Sequence, residues 1–244
     1  MSRRILERRV AQPLTFAAGQ RLTVVIPFRD RNEHLQQLLP MLRAELERQG
    51  VSFGVLVVEQ EAGGLFNRGR LINIGVRHAA DRTDYYCLHD VDAIPRVANY
   101  ACPSQPLRLV SEIVTAHGPT ARTNYYFSGA VSIRKEQLVH ANGYSNEYWG
   151  WGKEDDDFFF RLLLAGFLCY FDLQGQFYDL PNPAHQQVER KRFTTPPHVG
   201  RNRRRRSKLL RGLVDPAQDG LSTVRYEIAD RQIGGGFEKI RVRW

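Results

Sequence analysis

Apolar residues recur along this chain in two alternating periods. Leu22-Thr23-Val24-Val25-Ile26-Pro27-Phe28 is a short β-branched run closed by proline, the pattern of a strand buried on both faces, and 51–58 has the same character. Between them Leu35, Leu38, Leu39, Leu42 and Leu46 recur at steps of one, three and four residues and predict a helix over 33–49. The three segments form a β-α-β unit, which crosses over right-handed. A second helical face, Leu71, Ile74 and Val76 within 67–79, leads into the buried-strand candidate Tyr85-Tyr86-Cys87-Leu88. A strand over 125–133, a helix over 135–141 stopped by Asn142-Gly143, a helix over 154–165 ended by Gly166 and a strand over 168–171 complete the pattern. Alternation of this kind predicts an α/β fold.

From 181 to 206 the periodicity lapses. Pro181, Pro183, Pro196 and Pro197 predict a long loop, and a loop of that length inside a domain is usually functional or disordered. The charge lies in the same region. The formal net charge is +9, and 189–211 alone carries ten Lys/Arg against one acid, leaving 25 basic and 25 acidic residues elsewhere. Such a run reads as a flexible basic loop around 181–211 that is either solvated or docks an anionic membrane surface through 201–211. The 201–211 run lacks the interleaved aromatics that stack on bases, so no nucleic acid is expected.

Length and composition change the picture little. At 244 residues, 42% hydrophobic, one domain over 21–244 behind an N-terminal extension, 1–20, is the expectation. Cys87, Cys102 and Cys169 are odd in number and without a C-x-x-C pair, which argues for free thiols in a reducing compartment. No stretch approaches the apolar length of a membrane span or a signal peptide.

Two acidic constellations carry candidate chemistry. Asp90-Val91-Asp92 follows a strand, at the sheet edge where open α/β folds bind ligands. Two carboxylates there suit Mg²⁺ or Mn²⁺ bridging a diphosphate, and equally a plain turn with a helix cap. Trp149-Gly150-Trp151-Gly152-Lys153-Glu154-Asp155-Asp156-Asp157 sets aromatic faces among glycines ahead of four acids. Acids in a first helical turn complement the helix dipole. Four in a row exceed that need and repel one another, which favours an acid-base or sugar-binding role for at least one.

Together with Pro27-Phe28-Arg29-Asp30-Arg31, Phe66-Asn67-Arg68-Gly69 and Asp219-Gly220-Leu221-Ser222-Thr223-Val224-Arg225-Tyr226, these motifs fall in the order and spacing of the beta-1,4-galactosyltransferases. The chain resembles that family over roughly 20–230, closest to the branch that acts on xylose in proteoglycan linkers. The resemblance implies a GT-A fold, a Rossmann-like mixed sheet flanked by helices. It implies inverting transfer of galactose from UDP-galactose to a hydroxyl of an acceptor glycan, with Mn²⁺ or Mg²⁺. It places Pro27, Phe28, Arg29 and Arg31 at uridine and ribose, Asp90, Trp151 and Glu154 at the rest of the donor, and Asp92 on the metal. Asp155 becomes the general base, while Trp149 and Asp156 bind the acceptor. Tyr126 matches the tyrosine that favours galactose over N-acetylgalactosamine, so Tyr126→Leu separates this reading from a chondroitin-polymerase-type UDP-GalNAc or glucuronate transferase.

One departure stands out. Where the family supplies a metal-binding histidine, this chain has Asp179-Leu180-Pro181, so Asp179, or His185 or His198 from the basic loop, takes that place; otherwise the metal site is weakened, and the extreme case is an inactive relative that binds anionic surfaces. Animal members sit in the Golgi behind an anchor. The absence of one here, with unpaired cysteines, implies a cytoplasmic, bacterial-like relative, peripheral to the inner face of the membrane, that builds a surface polysaccharide.

Overall fold

The computed structural model describes residues 13–115, 118–121, 127–180 and 196–244. In chain order the elements are β1 Phe16–Ala17, β2 Arg21–Phe28, α1 Asn32–Arg48, β3 Ser52–Gln60, α2 Arg68–His78, β4 Tyr85–His89, β5 Ala93–Val97, β6 Cys102–Pro103, β7 Leu107–Arg108, β8 Glu112–Thr115 and β9 Gly118–Ala121. They continue with β10 Ala130–Arg134, α3 Lys135–His140, α4 Glu154–Leu164, β11 Tyr170–Phe171, β12 Gln176–Asp179, α5 Pro197–Leu210, β13 Glu227–Gly234 and β14 Phe237–Arg243.

Eight strands form one mixed sheet in the order β11-β7-β10-β4-β2-β3-β14-β13. Its centre is parallel, β2 lying between β3 and β4, and β14 extends the parallel part beyond β3. Successive residues of the central strands enter opposite cores. Val24, Ile26 and Phe28 of β2 meet Leu35, Leu38, Leu42 and Leu46 of α1 on one face. Val25 of β2 joins Leu71, Ile74, Phe158 and Leu162 of α2 and α4 on the other. A strand covered on both sides has no polar face to alternate, so the predicted strands read as unbroken apolar runs.

The predicted β-α-β unit is present, its strands paired in parallel. Gly75 lets α2 sit close on the sheet, since a Cβ there would lie 2.5 Å from Val25 Cγ1 and 2.9 Å from Val58 Cγ2. Gly75→Ala is expected to cost about 1–3 kcal/mol by overpacking; thermal denaturation would detect it, and an unchanged Tm would show that the helix can lift away freely.

A smaller sheet, β5-β12-β8-β9, stands at the edge. It brings Asp179 opposite Ala93, and the Leu180 amide donates to the Asp92 carbonyl at 2.9 Å. The segment before Arg21 is not wholly detached, because β1 pairs with β6 and the Thr15 amide donates to Ser104 Oγ at 3.0 Å.

The reading of 181–211 as one flexible basic loop requires correction: 197–210 is helix α5. Pro196 and Pro197, taken as loop signals, instead open the helix, where a missing N–H costs nothing. Arginine and lysine are good helix formers, and Val199, Asn202 and Leu209 supply a narrow buried face. Residues 181–195, with His185, lie outside the described residues, as does Tyr126. Among the described residues no helix is long and apolar enough to cross a membrane.

Candidate active site

The site forms where β4 ends. Asp90 follows His89 directly, and its amide donates to the Gly129 carbonyl at 2.7 Å, tying the acidic turn to the entry of β10. His89 is fully buried, and burial holds its imidazole down to about 4, so it is neutral. Its Nδ1 lies 2.9 Å from the Asp90 carbonyl and must donate, leaving Nε2 to accept from the Tyr100 hydroxyl at 3.1 Å. A neutral histidine in a fixed tautomer thus anchors the backbone of the turn.

Arg68, the first residue of α2, joins the two acidic constellations. Its Nε donates to Asp90 Oδ1 at 2.6 Å and its Nη1 to Asp155 Oδ1 at 2.7 Å. The guanidinium lies 5.5 Å from the centre of the Tyr144 ring, which is itself stacked on Phe158 with centroids 4.1 Å apart. The Tyr144 hydroxyl donates to Asp155 Oδ1 at 3.3 Å. No role for Arg68 was legible in the chain beyond its place in Phe66-Asn67-Arg68-Gly69. One signal was available: a cation at the first position of a helix opposes the dipole, so it must have acidic partners elsewhere.

The four acids of α4 divide their work. Asp157 is buried, bound to Arg161 Nε at 2.5 Å and to the Tyr148 hydroxyl at 2.9 Å, and belongs to the core. Asp156 pairs with Lys153 at 2.8 Å and with Arg206 of α5 at 3.6 Å. Glu154 is buried, and its Oε2 has no partner among the described residues. Burial pushes the Asp155 carboxyl up to about 8: the Arg68 charge opposes the shift, and the neighbouring Glu154 and Asp90 charges reinforce it. Burial raises Glu154 as well. Two carboxyls that resist ionisation beside a cation form a place where proton affinity is tuned toward neutral pH.

The tryptophan segment reaches α4 through three left-handed residues, Gly150, Gly152 and Lys153, at φ +71°, +103° and +81°. Trp151 stays 45% exposed, available to a ligand, whereas the Trp149 ring leans on Trp244 at 6.1 Å. Helix α5 clasps the segment: Asn202 Nδ2 donates to the Trp149 and Gly152 carbonyls at 3.1 and 2.9 Å, and the His198 ring packs on Gly150. On the β2 side, Pro27 and Phe28 are buried with Lys239 5.1 Å over the Phe28 ring, and Arg29 lies 5.3 Å over Phe66. Arg31 is the residue that precedes α1.

The β5-β12 pairing sets Asp179 across from Ala93 and ties the Leu180 amide to the Asp92 carbonyl, so the backbones of the two segments adjoin. Among the described residues no three His, Cys, Asp or Glu side chains gather as a metal cluster, and His198 lies against Gly150.

Residues 2–103 match the family model for the N-terminal region of glycosyl transferase group 7, and 109–181 match that for the N-terminal domain of galactosyltransferase. The catalytic domain of Drosophila beta-1,4-galactosyltransferase 7, solved with xylobiose, superposes with a TM-score of 0.74 at 30% identity, over 91% of this chain and 93% of that one. The chain belongs to the beta-1,4-galactosyltransferase family. Its sheet and flanking helices are the GT-A fold that the resemblance implied. A mutant of the same Drosophila enzyme, 28% identical over the same shares, was solved with manganese, UDP-Gal and xylobiose. Curated family members include beta-1,4-galactosyltransferase 7 of Drosophila melanogaster, 40% identical over 158 residues (62% of this chain, 47% of that protein), and human beta-1,4-galactosyltransferase 1, 32% identical over 224 residues (90% and 54%). The chain spans about half the length of the curated family members it matches.

Proposed function

We propose that this protein transfers galactose from UDP-galactose to a sugar hydroxyl with inversion, Asp155 acting as the general base. The observation that carries this reading is the bridge from Asp90 through Arg68 to Asp155, which sets a donor-side carboxylate and an acceptor-side base in one rigid unit. Arg68 and Tyr144 both engage Asp155 Oδ1, so Oδ2 receives the acceptor proton. Positioning the hydroxyl for in-line attack lowers the barrier further. Glu154 Oε2, buried without a partner, accepts from a hydroxyl of the donor sugar. Asp156, held by Lys153 and Arg206, orients the acceptor, and the exposed Trp151 covers the donor. Pro27, Phe28, Arg29 and Arg31 line the end of β2 where the nucleotide lies, and Tyr126 selects galactose.

The donor set fits a hard divalent cation. Asp92, just before β5, and Asp179 of β12 lie on adjoining segments, and their carboxylates are the oxygen donors that Mn²⁺ or Mg²⁺ would take. When bound, such an ion neutralises charge on the departing diphosphate. The three free thiols, two of them buried, support a reducing compartment such as the cytoplasm, where surface polysaccharide is built.

Incubation with UDP-galactose, with xylosides or N-acetylglucosaminides as acceptors, tests the reading. Transfer is expected with Mn²⁺, at a lower rate with Mg²⁺, and none with EDTA. Absence of both turnover and UDP-galactose binding with every metal would sink it.

A further inference from the structure

Helix α5 turns its charges in two directions. Arg205 binds Asp219, Arg206 binds Asp156, and with Val199, Asn202 and Leu209 they fasten the helix to the body. Arg201, Arg204, Lys208 and Arg211 recur at steps of three, four and three residues, and all four are exposed, with Arg203 beside them. Among the described residues no carboxylate lies within ion-pair distance of any of the five, and 197–213 contains no acid. Two large apolar side chains stand exposed at the C-terminal end of the helix and just past it: Leu210 is 50% and Leu213 67% exposed.

We propose that this face of α5 docks on a lipid bilayer rich in anionic headgroups and presents the site to acceptors displayed there. A row of cations along one helix face, with exposed leucines at its C-terminal end, matches a plane of negative charge with an apolar layer beneath it. Single-stranded nucleic acid is a poorer fit, because the one aromatic ring of α5, His198, is packed on Gly150 and the exposed basic face of the helix carries none. Because α5 also clasps the Trp149–Gly152 backbone and reaches Asp156, docking orients the acceptor side toward the membrane. The inference holds whichever sugar is transferred.

Sedimentation of the full chain with phosphatidylcholine vesicles containing about a third phosphatidylserine is expected to show binding that fades as salt rises, and none with phosphatidylcholine alone. The triple variant Arg201→Gln, Arg204→Gln, Lys208→Gln should bind about a hundredfold more weakly, at roughly fivefold per cation. It should keep its helix content by circular dichroism and its transfer to soluble acceptors. Leu213→Asn should weaken vesicle binding without altering its salt dependence. Equal binding to neutral vesicles, an unaffected triple variant, or tighter binding to a single-stranded polynucleotide than to vesicles at the same salt would each overturn the proposal. Vesicle binding is read without turnover, so its failure is distinct from a failure of the transferase reading.

Discussion

Replacing Asp155 by asparagine is expected to cut galactose transfer by about 10²–10⁴-fold while leaving UDP-galactose binding within a fewfold of the parent. Asparagine keeps the shape that meets Arg68 Nη1 at 2.7 Å and the Tyr144 hydroxyl at 3.3 Å but cannot take up a proton. The pH profile adds a second readout. A base works as the carboxylate, and burial pushes this one up to about 8, so parent activity should fall as pH is lowered through that value. The residual rate of the variant should lack that limb. Initial rates across pH, with donor affinity by calorimetry, check both points; an Asp155→Asn enzyme of near-parent rate, or one that keeps the limb, would remove Asp155 from the base role.

The second large effect belongs to Arg68. Its guanidinium is the shared counterion of Asp90 and Asp155 and lies close to Glu154, with a side chain only 10% exposed. Arg68→Met removes the cation and leaves the carboxyls buried among like charges, at a cost of about 3–5 kcal/mol in stability. The sign with pH follows from linkage. The unfolded chain is the same for parent and variant, so the deficit changes only where their folded states differ in protonation. It is level while Asp155 is protonated in both and grows as pH rises through about 8, where the parent ionises and the variant, lacking the cation, does not. Urea unfolding at several pH values measures this directly, and a deficit independent of pH would mean that lost packing on Tyr144, not lost charge, is responsible. Transfer should also collapse, because Asp90 and Asp155 lose their common tether.

The asymmetry between these two residues explains part of what was readable in the chain. Asp155 stands in a dense run whose four acids demand a reason, and its surroundings of tryptophan and glycine narrow that reason to sugar chemistry. Arg68 lies in a stretch whose apolar face dominates the pattern. Its importance depends on Asp90, 22 residues away, and Asp155, 87 residues away, and no local period reports such distances. The same holds for Asp157: in sequence it is one more acid of the run, yet Arg161 and Tyr148 make it part of the core.

Helix α5 shows the opposite failure. Its inward arginines have charged partners on α4 and near the end of the chain, so the buried face carries charge and the usual contrast between apolar and polar sides disappears. The terminal hairpin escaped prediction for a related reason. β13 is exposed along nearly its whole length and so carries no apolar signal, and β14 is placed beside β3, far earlier in the chain.

By itself the sequence determined the central β-α-β unit, the turn after β4, the acidic opening of α4 and the family, because burial on both faces of a parallel sheet and clustered chemistry leave local traces in residue type and period. Only the tertiary structure decided that Arg68 joins the two acidic segments, that the strand holding Asp179 pairs with the strand that follows Asp92, and that the basic run is a helix with two of its arginines turned inward. Those are choices of partner between distant segments, made by electrostatics and packing in three dimensions, and they have no period along the chain.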